Sequence, residues 1–342
     1  ADGPDMTVRS VAVNGHAAAF RFVQPTYPGD PNGQDDPNPL AHEASQNNPV
    51  GGPANNPLPP ACSPALPDTD AAANSLNGTQ CPANKLVITP KTPIRDGSAF
   101  TVKVSYTGKP GVHNDGDGTT EGWFRSSDGG FVTTEPVGSE DWMPLNDHPT
   151  AKPTYDFYDT VAAGLTAVAN GVLKSVTHHK PDARFSGGSA TFHWHSRAPI
   201  ASYLVENSVG HYTLTSRVGS DGIRYYQAQD TSISAAQQQK NLAIMNQQQD
   251  ITDFESQFNG RFPFTSDGII IGTPDASFEE EMQTMITFAG GEIDLDTLYH
   301  ENMHQWWGDN VTEGEYNLTF FKEGMATLGE YLLAAREAET KA

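Results

Sequence analysis

The chain has 342 residues, with 20 Lys and Arg against 42 Asp and Glu, for a formal charge of −22. That balance argues against nucleic-acid binding, which needs a basic face to neutralise phosphates, and against a polybasic membrane anchor. No run of about 18 apolar residues occurs, so no membrane-spanning helix is expected, and the length suits two domains of roughly 100–200 residues each.

The chain opens Ala-Asp-Gly-Pro, as a removed signal peptide or a trimmed start would leave it. Residues 6–22 alternate loosely between apolar and polar, which predicts a strand or hairpin. From Pro25 to Pro67 lie 12 of the 25 prolines with many Asn, Asp and Gly, and no apolar periodicity survives. The two cysteines, Cys62 and Cys81, fall in or just after this stretch. A disulfide between them is expected, closing a roughly 20-residue loop and worth about 3 kcal/mol in the chain-entropy model. It would imply a secreted, extracytoplasmic protein.

Strands are predicted at Lys85–Thr89 and Ala99–Tyr106, followed by Gly/Asp-rich turns over 109–130. Further strand-like runs are Tyr155–Val161, Ser189–His195 and His211–Thr215. The first two-thirds therefore read as all-β. Near residue 228 the pattern changes. Leu242, Met245, Ile251, Phe254 and Phe258 recur at helical spacing over 234–258, residues 268–272 (GIIIG) read as a short buried strand, and Ile293–Trp307 and Leu318–Arg336 read as helices. The expected division is 1–227, with 25–84 as an insertion, and 228–342. From 228 onward 20 acidic and 5 basic residues give −15, so the helical part carries most of the negative field.

The strongest chemical signal is His300-Glu301-Asn302-Met303-His304. On a helix, residues i and i+4 share a face, so both imidazoles can reach one metal ion while Glu301 points at a water on it. A catalytic zinc needs a third protein ligand and an open position. Glu323, after 18 intervening residues in a second helical pattern, can supply that carboxylate.

The stretch HENMHQWWGDNVT followed by NLTFFKEGMATLGEYL resembles the M1 (gluzincin) zinc aminopeptidases. Their signature is H-E-x-x-H, an 18-residue spacer and Glu, and it falls here on His300, Glu301, His304 and Glu323. Residues 133–157, 164–173 and 198–212 are similar to stretches of the family's β domain, and the likeness runs from about residue 85 to the end. It implies an α+β multidomain fold: an N-terminal all-β, saddle-like domain, then the first part of a thermolysin-like, mainly helical zinc-peptidase domain. It also implies one zinc ion held by His300, His304 and Glu323, with Glu301 as general base.

The family holds a substrate's free amino terminus with two glutamates, since a cation in a cleft needs opposite charge against it. By position these are Glu281, in Glu281-Met282-Gln283-Thr284, and Glu135; a solvated acidic turn is the plainer reading of Glu279–Glu281. Glu330, two turns beyond Glu323, either accepts a hydrogen bond from a ligand imidazole or is an ordinary exposed helix glutamate. Asp309 is left open between a role near the metal and a turn. Lys322 stands where the family usually has Asn. His178, His179, His193 and His195 read as surface or structural histidines, and Trp306 and Trp307 as core. The family's oxyanion-stabilising tyrosine lies well beyond the third ligand, and no residue of this chain matches it. An incomplete active site is therefore expected, with a companion C-terminal fragment of the same precursor as partner. Peptides with a free N-terminus are the expected substrates. The alternatives are a gluzincin endopeptidase and a non-catalytic secreted β module with a structural zinc site.

Overall fold

The computed structural model describes residues 6–23, 85–114, 120–136, 138–274, 276, 278–314 and 318–341. The expected Cys62–Cys81 disulfide and the Pro-rich stretch lie outside these residues. The first hairpin joins β1 (Thr7–Val13) to β2 (His16–Val23). Its two-residue turn, Asn14-Gly15, has φ of 49° and 78°. Positive φ at both positions suits the right-handed strand twist, and Asn-Gly adopts it at low cost. β3 (Lys85–Thr89) pairs with β2, and β4 (Val102–Thr107) pairs with β1, giving the order β3-β2-β1-β4.

The chain divides into two compact units, residues 1–123 with 137–147 and residues 124–136 with 148–342. The first contains this sheet and the pairing of β5 (Val112–Asn114) with the start of β6 (Thr120–Arg125). The sequence reading gave only turns over 109–130. Three-residue strands among Gly and Asp carry too few apolar positions to show a period of two.

The second unit holds β7 (Gly130–Thr133), β8 (Tyr155–Ala162), β9 (Thr166–Ala169), β10 (Val172–His179), β11 (Ser189–Ser196), β12 (Asn207–Gly210), β13 (Tyr212–Val218) and β14 (Arg224–Asp230). β11 lies antiparallel between β10 and β8, and β12 between β7 and β9. A final sheet runs β13-β14-β15-β16, with β15 (Ser266–Ile271) and β16 (Ile286–Phe288). Here β14, β15 and β16 are mutually parallel. Every residue of β15 is buried, which suits the apolar run Ile269–Ile271 that ends it.

The single helix expected over 234–258 is two: α1 (Ala235–Met245) and α2 (Gln248–Asn259). Met245 and Ile251 both enter one core with Ile269, Ile271, Phe288 and Leu298. At about 100° per residue they would point roughly 120° apart on one continuous helix, and the break between α1 and α2 brings both into the same core. α3 (Leu295–His304) starts at Asp294, whose side chain accepts from Thr297 N at 2.9 Å. α4 (Thr319–Lys341) packs across it. Among the described residues no helix is long and apolar enough to cross a membrane.

One buried acid gives this unit a pH signature. Glu206 is fully buried; its Oε2 accepts from Thr287 Oγ1 at 3.4 Å, and its Oε1 has no hydrogen-bond partner among the described residues. Burial pushes its carboxyl up to about 8, against the hydrogen bonds of Ser208 and Thr287. The native chain therefore holds a proton that the unfolded chain releases near pH 4.5. From that pH up to about 8 this group lowers stability by about 1.4 kcal/mol per pH unit. Glu206→Gln is expected to remove that slope. Denaturant titrations at several pH values check it, and parallel stability profiles for both proteins would contradict it.

Candidate metal centre and its buried ion-pair cluster

α3 carries His300, Glu301 and His304 because its inner side is fixed on three flanks. Leu298 and Tyr299 enter the core. Asn302 Nδ2 donates to Glu255 Oε2 on α2 at 2.8 Å. Beyond its end, Trp306 packs edge-on against Phe262 and donates to Gly260 O, while Trp307 donates to Asn259 Oδ1. Both tryptophans serve packing, the role the sequence reading gave them.

α4 approaches α3 closely because of Gly329, where an added Cβ would lie 2.8 Å from Tyr299 O and 3.3 Å from Met303 Cβ. That approach delivers Glu323 and Glu330 to one imidazole. His300 Nε2 lies 3.2 Å from Glu323 Oε2, and His300 Nδ1 lies 2.7 Å from Glu330 Oε1. His304 Nε2 lies 3.5 Å from the same Glu323 oxygen, and its Nδ1 lies 2.9 Å from Trp307 O. The turn that presents this carbonyl needs Gly308, at φ 130°, whose Cβ would sit 3.3 Å from His304 Nδ1.

Both Nδ1 partners are acceptors, so each ring carries its proton on Nδ1 and offers Nε2 outward. Tetrahedral zinc with bonds of about 2.1 Å spaces its ligand atoms roughly 3.4 Å apart. The two nitrogen-to-oxygen separations of 3.2 and 3.5 Å match that edge. Ligand atoms of His300, His304 and Glu323 all lie within 4.8 Å of one another. Two imidazoles and one carboxylate therefore fit a zinc ion with a position left open. Glu281, Glu301 and His304 form a second set of the same closeness, so both other carboxylates border this centre. Burial pushes the Glu301 carboxyl up to about 7, partly offset by His304.

Glu281 reaches the centre through a segment held on both sides. Gln305 accepts from Thr284 N and donates to Glu281 O, each at 2.8 Å. Asn170 Nδ2 donates to Gln283 O, and Thr284, at φ 66°, accepts from Gly171 N through its hydroxyl. A β-branched residue in that region is strained, and these bonds hold it there. Glu281 is 2% exposed, and the neighbouring Glu280 is buried and accepts from Thr134 N at 2.6 Å. The plainer reading, a solvated acidic turn, does not describe these two side chains.

Between Glu135 and Glu281 sits Lys322. Its Nζ lies 2.7 Å from Glu135 Oε1, 2.8 Å from Glu281 Oε1 and 2.6 Å from Glu323 Oε1, and 5.4 Å from the centre of the Tyr203 ring. The lysine side chain is 1% exposed. Burial favours the neutral amine, but Glu135 and Glu281 outweigh it and hold the ammonium well above its ordinary range. Burial likewise opposes ionised Glu281, yet Lys322 and His304 keep it below the usual value. Glu135, the remaining partner, is pushed up to about 8 by its burial.

The sequence reading treated Lys322 only as a departure from a pattern. A signal for its burial was present: Lys322, Ala326, Gly329 and Leu333 recur at helical spacing and all face inward. Gln305 had no comparable signal, because its partners come from a distant segment. Asp309 is fully buried with no hydrogen-bond partner for either carboxyl oxygen among the described residues. Burial pushes its carboxyl well above its ordinary value.

No protein-family model matches the chain. It is 22% identical over 265 residues to aminopeptidase N of Haemonchus contortus, covering 72% of this chain and 26% of that protein. Its structure resembles an M1 zinc metallopeptidase of Deinococcus radiodurans, with TM-score 0.69, 19% identity, and coverage of 98% of this chain and 62% of that one. A variant of that protein bound to a Tyr-Ser-Ala substrate matches equally, with the same TM-score and identity. The described residues thus share this fold. It spans about a quarter of the curated relative and less than two-thirds of these solved structures.

Proposed function

We infer that the chain belongs to the M1 zinc metallopeptidases and that, with zinc bound, it removes amino acids from the free N-termini of peptides. The observation that carries this reading is the pair of nitrogen-to-oxygen edges, 3.2 and 3.5 Å, joining His300 and His304 to Glu323, with Glu301 on the same helix. The fold likeness and the Tyr-Ser-Ala complex of a similar protein support it. On this reading 228–342 is the first part of a thermolysin-like domain, and the protein acts outside the cytoplasm.

Zinc at this centre would polarise a water and the scissile carbonyl. His300 and His304 present Nε2 because Glu330 and Trp307 O hold their Nδ1 protons. Glu301 takes the proton of the attacking water and passes it to the leaving amine. Glu281 and Glu135 bind the substrate's ammonium. Glu281 is buried and Glu135 half-buried, and their distances to Lys322 Nζ, 2.8 and 2.7 Å, are those of hydrogen bonds to an ammonium, which supports this assignment.

That same lysine favours a second reading. An internal ammonium already in the anchor would suit an endopeptidase, whose substrates bring no charged terminus. Hydrolysis of an amino-acid amide and its N-acetylated counterpart separates the two. The first reading expects turnover only with the free amine; equal turnover of both would establish the second.

A further inference from the structure

The turn that follows α3 is gripped by a cation that belongs neither to the metal ligands nor to the amine anchor. Its carbonyls lie at a helix C-terminus, where the last groups lack intrahelical partners and carry partial negative charge. Each finds a separate donor. Trp307 O lies 2.9 Å from His304 Nδ1. Gly308 O accepts from the Thr312 hydroxyl. Asp309 O accepts from Lys152 Nζ at 2.5 Å, and the same ammonium donates to Thr312 Oγ1 at 2.7 Å. Lys152 thus holds the turn at two points, directly and through the threonine that closes it. Asp309 takes part through its backbone.

Lys152 lies 157 residues from Asp309, in the segment just before β8. That segment is itself fixed, since Pro153 O accepts from the N–H of fully buried Ile200 at 2.9 Å. Lys152 is half-buried, so its bonds are partly shielded from water. The turn needs an outside hold because Gly308, at φ 130°, is the residue type with the widest backbone freedom. A stiffer residue there would put its Cβ 3.3 Å from both His304 Nδ1 and Lys322 Cδ. The carbonyl that fixes the His304 ring is therefore only as well placed as the contacts that hold this turn.

We propose that Lys152 is a positioning residue of the metal centre. It acts through Thr312 and the turn 307–312 on Trp307 O, and so on the orientation in which His304 presents Nε2. The proposal rests on the reading of His300, His304 and Glu323 as zinc ligands. It does not depend on the substrate.

Losing a partner that orients a ligand imidazole weakens metal binding by about 10–100-fold. Lys152 acts one step further out, so Lys152→Met, which keeps the stem and removes the ammonium, should raise the zinc Kd by about 10-fold, the low end of that range. Thr312→Val should act in the same direction, and Lys152→Arg should restore most of the affinity. Competition with a chelator measures the Kd. In the zinc-loaded proteins, nuclear magnetic resonance follows exchange of the His304 Nδ1 proton, assigned by its absence from His304→Gln. That exchange should be slow in wild type and faster in Lys152→Met and Thr312→Val. A merely structural lysine would lower the stability of the zinc-free protein and leave both readouts where they are. Near-wild-type zinc affinity and proton exchange in Lys152→Met and Thr312→Val overturn the proposal. So does a raised Kd with unaltered exchange, since Lys152 would then act by another route. If Lys152→Met does not fold, Thr312→Val decides by the same two readouts. A wild-type protein that binds no zinc overturns the metal reading itself, and the proposal with it.

Discussion

Lys322→Met should destabilise the protein by about 3–5 kcal/mol, because it leaves the buried Glu281 carboxylate without its counter-ion. Three carboxylates share this one ammonium at 2.6–2.8 Å, and the lysine side chain is 1% exposed. Methionine keeps most of the stem's volume, so the loss reports charge rather than a cavity. The cluster also predicts non-additivity. Glu135→Gln removes the carboxylate already pushed up by burial, and should cost much less than Lys322→Met. The double variant Lys322→Met/Glu135→Gln should recover part of the loss, since residues in one ion-pair network do not add. Denaturant unfolding of the four proteins of this cycle checks it, and a strictly additive cycle would contradict it.

The same variant speaks to substrate capture. Without Lys322, Glu281 loses the charge that holds its carboxyl down, and Glu135, already pushed up by burial, moves further toward its neutral form. A protonated anchor no longer attracts a substrate's ammonium, so KM for a free-amine substrate should rise. A fall in KM would show instead that the lysine competes with the substrate for these carboxylates.

Glu301→Gln should lower kcat by a factor on the order of 10²–10⁴, the usual contribution of a positioned general base. Glutamine preserves shape and cannot accept the water's proton. Glu301 is absent from the group formed by His300, His304 and Glu323, so zinc content and thermal stability with zinc should remain near wild type. Turnover of a leucine amide, read beside bound-metal analysis, checks both parts. Unchanged turnover with zinc retained would remove Glu301 from the mechanism. A wild-type protein that binds zinc and hydrolyses nothing would favour a structural role for the metal.

The elements differ in how much of them the chain spells out locally. The Asn14-Gly15 turn, the buried run of β15 and the amphipathic α3 and α4 were all legible, because each is written in neighbouring residues. The break between α1 and α2 was not legible, because the roughly 120° offset of Met245 and Ile251 still suits the broad buried face of one helix. Both residues enter one core all the same.

The metal-binding pair was legible for the same reason. His300 and His304 lie one helical turn apart, so their shared face follows from backbone geometry alone. Glu323 could be named from its spacing and the family likeness. Its reach to both imidazoles depends on how closely α4 approaches α3, which Gly329 permits. The placement of Glu281, Glu135 and Lys322 around one another was beyond local reading, since Glu135 and Lys322 lie far apart in sequence and meet through packing. The same holds for Lys152, which packing brings to the carbonyl of Asp309. The sequence by itself determined which chemical groups the protein owns and which of them share a helix or strand face, because those periodicities are properties of the backbone. The tertiary structure decided which faces meet, and so which charge lies buried against which, because that depends on register and close packing between distant segments.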